Sequence, residues 1–475
     1  METTNASVEQ RVYQMDQSFR DSIATIDKEG KRKFIYPKKP SGRYYKWRTF
    51  TSLLFLAVFF TVPFIKVEGE PFMMFNVLER KFILFGKIFW PQDFFIFAIG
   101  LITFFVFIIL FTVVYGRIFC GWVCPQTNFM EMVFRKVEYL IDGDATRQMQ
   151  LKAMPWNAEK IRKRALKIAV FYTISFVIAN FFLSYIIGMD ALLKMVTEGI
   201  GKNFGTFLSL LAFTTVFFFV YYWFREQACI VVCPYGRLQG VLLDKNSVVV
   251  AYDYVRGEPR GKLKKGAVAE GHGDCVDCYA CVRVCPTGID IRNGTQLECI
   301  NCTACIDACD HIMDNIGKPR GLIRYASENN IARGEPTRFT WRMALYSVVL
   351  LLLVGVLATL LITRDDVDAR VLRAQGQTFQ SLPDGRISNL YNIKLANKTR
   401  KEVPLQLRLE NVNGEIQMVQ DVVVPKESYF QTSFFVKLPR SAITSRKMPL
   451  KIGIYQGNKR IQTRTTTFLA PSLSN

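Results

Sequence analysis

Histidine is almost absent from this chain: His272 and His311 are the only two in 475 residues. Imidazole is the commonest metal ligand and the usual general base near neutral pH, so sites built on it are excluded over most of the sequence. Both histidines are expected as surface residues at a domain edge. No His-rich or Met-rich tract is present, and the last hundred residues offer only Met418 and Met448. No G-x-G-x-x-G run opens a βαβ unit. Gly86 and Gly199-Ile200-Gly201 lack that context, so no dinucleotide site can be read. Residues 1–46 contain no short apolar core with a cleavage site, which argues against a cleaved signal peptide and makes the first apolar run an uncleaved anchor. Cysteine is missing everywhere except in four short clusters, and those use all twelve.

What is abundant is apolar and basic. Half the residues are hydrophobic, 39 are phenylalanine, and the net charge is +21. Five apolar stretches, about 48–65, 93–115, 166–188, 206–224 and 343–362, are long enough to cross a hydrocarbon layer of about 30 Å as helices. Lys and Arg number ten in 1–46, nine in 116–165 and sixteen in 225–342, against four in 66–92 and two in 189–205. This alternation predicts a cytoplasmic N-terminus and an external C-terminus by the positive-inside rule. The positive charge therefore reads as topology and contact with anionic lipid; no interleaving of basic and aromatic residues suggests nucleic acid.

Cys275, Cys278, Cys281 and Cys285 form C-x-x-C-x-x-C-x-x-x-C followed by Pro286, and Cys299, Cys302, Cys305 and Cys309 repeat the spacing 24 residues later. Three cysteines spaced by two wrap one face of an iron–sulfur cube, and a distant fourth closes it. In two-cluster ferredoxins that fourth cysteine serves the other cluster. The rule assigns Cys275, Cys278, Cys281 and Cys309 to a first [4Fe–4S] cluster, and Cys299, Cys302, Cys305 and Cys285 to a second. Zinc ribbons use two pairs rather than two triads, and a cytoplasmic location disfavours disulfides. Asp310 stands where the second run would carry Pro, which alters polarity but removes no ligand.

The other clusters are C-x-x-x-C-P pairs, Cys120/Cys124/Pro125 and Cys229/Cys233/Pro234, each directly after a long apolar run. They lie 109 residues apart at equivalent points of a weak internal duplication, YGRIFCGWVCP and FREQACIVVCP. Cysteines four apart face the same way on a helix, and Pro places Cys124 and Cys233 at a break between a membrane helix and an interfacial one (Gln126–Ile141 and Tyr235–Leu243). Thiolates near helix N-termini are expected to have lowered pKa values and to bind metal. Four soft thiolates suit Cu(I) or an iron–sulfur centre, which makes these residues a candidate copper or redox site. The alternative is four buried cysteines acting as small hydrophobes. Met130 and Met132 are expected in packing, Trp122 as an interfacial anchor, and Arg117 and Arg237 at phosphate headgroups. Asp93 and Glu226 are expected at water-accessible helix ends. Phe72–Trp90 reads as an interfacial amphipathic segment, with a quinone pocket as the sharper alternative.

Residues 256–266 form a basic, Gly-rich linker into the ferredoxin module. Asn389–Leu395, Pro404–Glu410, Tyr429–Leu438 and Leu450–Tyr455 alternate like strands, with a turn at Asn413-Gly414. The expected organisation is a cytoplasmic segment (1–47), a four-helix membrane region (48–243), a cytoplasmic region (244–342) with a ferredoxin module at about 270–315, a fifth transmembrane helix (343–362), and a β-sandwich (363–475) on the outer face. The fold class is a multi-domain membrane protein combining a five-span helical bundle, a two-cluster ferredoxin-like insert and a C-terminal β-sandwich.

This order of parts, carried by Cys120–Pro125, Cys229–Pro234, Cys275–Pro286 and Cys299–Cys309, resembles the CcoG/RdxA/FixG family of accessory proteins for bacterial cbb3-type cytochrome c oxidase. The resemblance implies a bacterial inner-membrane protein whose residues 363–475 form an immunoglobulin-like periplasmic β-sandwich. It also implies reduction of Cu(II) to Cu(I) for the oxidase, with eight cysteines as cluster ligands and four as candidates for copper handling. Oxidase-assembly or copper-delivery proteins would be its partners, and the electron donor is open. NapH-type quinol-oxidising relays share the paired motifs and the insert, so a quinol relay is the alternative, followed by a redox-sensing assembly scaffold.

Overall fold

The computed structural model describes residues 25–26, 29, 31–77, 81–89, 94–199, 201–262, 272–334, 341–364, 366–374, 376 and 378–471. Asp93, Trp90 and the end of the 256–266 linker lie outside them. Five helices are long and apolar enough to cross a membrane: Arg43–Phe64, Phe95–Tyr115, Ala158–Ile187, Phe204–Phe224 and Met343–Ile362. At most 28% of any apolar window is buried by protein. Such exposed apolar surface is stable only in hydrocarbon, so the bilayer completes the fold. The third helix begins well before its apolar run. Residues 158–165 continue it as a polar turn, and the Asn157 side chain accepts the Lys160 N–H at 2.9 Å as an N-cap.

The chain divides into two compact units, Met1–Ile65 with Ile99–Gly355, and Lys66–Ala98 with Val356–Asn475. In the first unit, the segment after Cys124 differs from the interfacial helix expected. Pro125–Asn128, a π-helical stretch Phe129–Phe134, and Arg135–Ile141 run through the bundle. Phe129, Met130, Met132 and Phe134 are buried. Phe129 meets Phe55 and Phe59 of the first span, and Phe134 stacks on Tyr221 of the fourth, ring centroids 4.6 Å apart. Burying each such ring contributes roughly 2–3 kcal/mol, which outweighs the interfacial preference read from its polar neighbours.

Behind these rings lies a buried ion cluster. Glu138 accepts from both terminal nitrogens of Arg225 (2.6 and 3.3 Å) and from Lys167 Nζ (2.6 Å), which also donates to Asp142 (2.7 Å). Glu226 is buried as well, within 3.4 Å of Arg32 and 3.9 Å of Arg135. This corrects the expectation of a water-accessible Glu226: the chain folds back over the helix end and supplies cations to it.

The second unit is a β-sandwich. One sheet has the order Glu415–Met418, Tyr429–Leu438, Ile387–Asn397, Val367–Arg373, with Gln380–Ser381 also on Ile387–Asn397. The other runs Gln406–Leu409, Lys447–Gln456, Lys459–Leu469. All these pairs are antiparallel, and alternate residues such as Ile387, Tyr391, Ile393, Phe434, Val436, Leu450, Ile452 and Phe468 fill the core. Tyr391 Oη donates to Thr467 O at 2.9 Å, tying the sheets together. Residues 66–89 also differ from expectation. They form short antiparallel strands with Met74, Ile83 and Ile88 buried, and Arg400 binds Val67 O and Gly86 O (2.6 Å to the latter). The part of Phe72–Trp90 that is described, read from composition as an interfacial amphipathic segment, is held in strands, and Arg400 of the sandwich satisfies carbonyls at their turns.

Candidate functional site

The eight ferredoxin cysteines line two cavities. Cys275, Cys278, Cys281 and Cys309 line one, with Tyr252, Tyr279 and Arg292. Cys285, Cys299, Cys302 and Cys305 line the other, and Cys281 borders it too. Two helices distribute the sulfurs. Ala304–Asn315 carries Cys305 toward one cavity and Cys309 toward the other, and Ala280–Arg283 does the same for Cys281 and, just past its end, Cys285. The antiparallel strands Val249–Tyr252 and Ile323–Ala326 close the module.

The backbone around the triads repeats as well. Asp277 and Tyr279 have φ of 51° and 58°, and their counterparts Asn301 and Thr303 have 53° and 65°. Four non-glycine residues at positive φ are costly. Alternating hand in this way makes concave backbone nests whose N–H groups favour an anionic cluster. Burial pushes the thiols of Cys281, Cys299 and Cys309 up to about 12 and that of Cys302 to about 11. Four thiols around each cavity with nested amides fit an iron–sulfur cube, whose irons supply the positive charge that buried thiolates need. Cations stand nearby. Arg292, paired with Asp277 (2.5 Å) and Asp290 (2.6 Å), stacks 4.1 Å over the Tyr279 ring. His272 and His311 are exposed, and His311 lies 3.5 Å from Asn315.

The membrane-face pairs come together at the ends of the second and fourth spans. Cys229 lies within electrostatic reach of Cys124, Cys120 and Cys233, and Cys120 within reach of Cys124 and Cys233. Burial dominates here, so the Cys120 thiol is pushed up to about 11 and Cys229 to about 12, opposite to the lowering expected at a helix start. Cys120 Sγ donates to Gln239 Oε1 at 2.9 Å, and the Gly236 N–H points at Cys233 Sγ, 3.4 Å away. Among the described residues, no three His, Cys, Asp or Glu side chains are drawn together tightly enough for a single metal ion.

Arg117 does not reach the lipid headgroups as expected. It is buried, donates to Leu297 O, and its guanidinium lies beside Gly236 and the Cys120 thiol. Its charge is needed where the chain buries sulfur. Arg237 donates to Val231 O at 3.2 Å in an exposed setting. Sequence reasoning also missed how closely the two cysteine sets approach. Cys120 packs in one apolar cluster with Cys302, and Cys305 lies against it. A Cβ on Gly121 would sit 2.5 Å from Ile300 O, and one on Gly116 2.9 Å from Val248 O. The two glycines of the Cys120/Cys124 motif were the available signal of close backbone approach.

Apolar spans, two cavities each lined by four ferredoxin cysteines, and a docked pair of membrane-face motifs define a membrane-bound iron–sulfur electron-transfer protein. Comparison with known proteins agrees. A family described as "4Fe-4S dicluster domain" matches residues 224–328, one described as "4Fe-4S binding domain" matches 97–142, and the "IG-like fold at C-terminal of FixG" matches 357–471. The nitrogen fixation protein FixG of Rhizobium meliloti (strain 1021) is 35% identical over 424 residues, 80% of each chain. Protein RdxA of Cereibacter sphaeroides is 35% identical over 397 residues, 80% of this chain and 83% of that protein. The chain belongs to the FixG/RdxA family. A solved FixG-related protein from Vibrio parahaemolyticus aligns with 22% of this chain and 97% of its own, at 17% identity and a TM-score of 0.19.

Proposed function

We propose that this protein is a cupric reductase that delivers single electrons to Cu(II) and supports copper supply to a cbb3-type cytochrome c oxidase. Cys275, Cys278, Cys281 and Cys309 hold one [4Fe–4S] cluster, and Cys299, Cys302, Cys305 and Cys285 hold the other. The bound clusters supply one-electron chemistry at low potential. Cys120, Cys124, Cys229 and Cys233, the candidate copper or redox site, form the exit. The single observation that carries this reading is the shared packing of Cys120 with Cys302 and Cys305. A path from an exposed cysteine of the first cavity, Cys278, through the second cavity to the membrane face then needs no long gap. Cu(I) is the form that thiolate and thioether sites carry, which gives such a reductase its purpose.

In this reading the N-terminus and ferredoxin module are cytoplasmic, and the β-sandwich is periplasmic. Two sets of contacts support the sides. The segment between the first two spans joins the sandwich through Arg400. Residues before the first span join the ferredoxin module, where Lys38 N–H donates to Arg283 O at 2.8 Å. Both contacts are consistent with five spans that alternate in direction.

The test is anaerobic. Protein reduced in detergent without quinone is mixed with a Cu(II) salt, and Cu(I) is trapped by a chromogenic chelator while the clusters are followed by EPR. One Cu(I) should form for each reduced cluster lost. Reduced-cluster signals that persist after Cu(II) would sink the proposal. Reduction of the clusters by a quinol analogue, with no effect of Cu(II), would favour the relay.

A further inference from the structure

We infer that Cys120, Cys124, Cys229 and Cys233 together hold a third iron–sulfur cluster, a [4Fe–4S] cube shared between the two halves of the membrane domain. This rests on the electron-transfer reading above and resolves its exit site as a redox centre rather than a copper-binding one. The family resemblance over residues 97–142 is to a 4Fe-4S-binding unit, yet that stretch contains only Cys120 and Cys124. Two thiolates cannot close a cube, which takes four. The fold supplies the missing pair: Cys229 and Cys233 follow the fourth span, Cys229 within electrostatic reach of Cys120 and Cys124, and Cys233 within reach of Cys120.

The two halves present their sulfurs in the same way. Four residues before Cys120 and Cys229 the chain turns at positive φ, 58° at Gly116 and 50° at Arg225. Cys124 and Cys233 are both extended N-caps (φ −55°, ψ 125° and φ −66°, ψ 111°), each followed by Pro at the first helical position. A two-fold repeated backbone thus delivers the four thiols, and Gly236 of the second half lies against both Cys229 O and the Arg117 guanidinium of the first. A Cu(I) ion, by contrast, needs two or three thiolates at bonding distance from one atom.

The surroundings suit an anionic cluster. Arg117 is a buried cation beside Cys120, the Gly236 N–H is aimed at Cys233, and the starts of the helices at Pro125 and Pro234 add their partial positive charge. On binding four irons and four sulfides, the four thiols release four protons. The product carries net negative charge, which these groups offset. The site also adjoins Cys302 and Cys305, so the three cysteine sets form one continuous series.

The full-length protein, purified anaerobically in detergent, is assayed for iron, acid-labile sulfide, copper and zinc. About twelve irons and twelve sulfides per chain are expected, against about eight for two cubes alone. The Cys120→Ser/Cys229→Ser variant should fall to about eight and lose one of three reduced-cluster EPR signals. Should that variant fail to fold, Cys124→Ser, at a less buried position, gives the same reading. About eight irons in the parent chain, or about twelve left unchanged by either variant, overturns the inference. Loss of Cu(II) reduction with about twelve irons intact would overturn the copper reading and leave this one standing.

Discussion

Two internal duplications run through this chain, and they are preserved by different means. In the ferredoxin pair, CVDCYAC and CINCTAC, positive φ is held by Asp277, Tyr279, Asn301 and Thr303, none of them glycine. In the membrane pair the equivalent positive-φ residues are Gly116 and Arg225. Gly116 is required because Val248 O would meet any Cβ at 2.9 Å, whereas Arg225 accepts the strained backbone and takes Glu138 as its partner. In the ferredoxin pair the repeated backbone is kept without glycine, and in the membrane pair it is kept by close packing at Gly116 and by a charge partner at Arg225.

The strongest way to break this comparison is to remove a ligand. Cys305→Ser should cost about four irons per chain and lower Cu(II) reduction by roughly 100-fold or more, read by iron analysis and chelator assay, because no other group can close the second cavity. Gly121→Ala should keep its iron but slow electron delivery roughly tenfold, since the new methyl lies 2.5 Å from Ile300 O and must push the module off the membrane face. Stopped-flow oxidation by Cu(II) reports it, and an unchanged rate would remove the contact from the path.

Arg225→Gly sharpens the comparison by making both membrane turns glycine. Strain is relieved, but Glu138 loses a two-toothed partner, for a net destabilisation of about 3 kcal/mol in detergent melts. Burial alone would raise the Glu138 carboxyl; Arg225, Lys167 and Arg135 overcome it and hold the group at about 2 instead of 4.5. That depressed value stabilises the fold above pH 4.5, and the stability is lost as pH falls toward 2. The variant should begin to lose stability at a higher pH than the parent. The smallest effect belongs to Asp310→Asn. Asp310 faces Cys309 and accepts from Gly321 N–H at 3.0 Å. Removing its charge should raise the midpoint potential of the first cluster alone, on the order of tens of millivolts, in an EPR-monitored titration.

Local signals were fully legible. Apolar runs become the spans, and each cysteine spacing meets a cavity or a helix end. The strands at Ile387–Asn397, Tyr429–Leu438 and Lys447–Gln456 follow from their alternation. What stayed hidden depends on neighbours distant in sequence. Arg117 reads as a lipid-facing cation until Leu297 and Gln239 are brought to it. Phe129–Phe134 reads as interfacial until the first, third and fourth spans pack around it, and Phe72–Trp90 as amphipathic until Arg400 binds carbonyls at the turns of its described part. The thiols of Cys120 and Cys229 illustrate the same limit, because helix position suggested one direction of shift and depth imposed the other.

The first membrane helix starts at Gly42, where φ is 146° and a Cβ would collide with the Asp307 side chain. Asp307 accepts the Tyr44 and Tyr45 N–H groups at 3.1 and 2.8 Å. The cap of a membrane helix is thus supplied by a residue between Cys305 and Cys309. Assembly acquires an order from this. The helix can be inserted early, but the N–H groups at its start find their acceptor only once the module that carries Asp307 has folded against it.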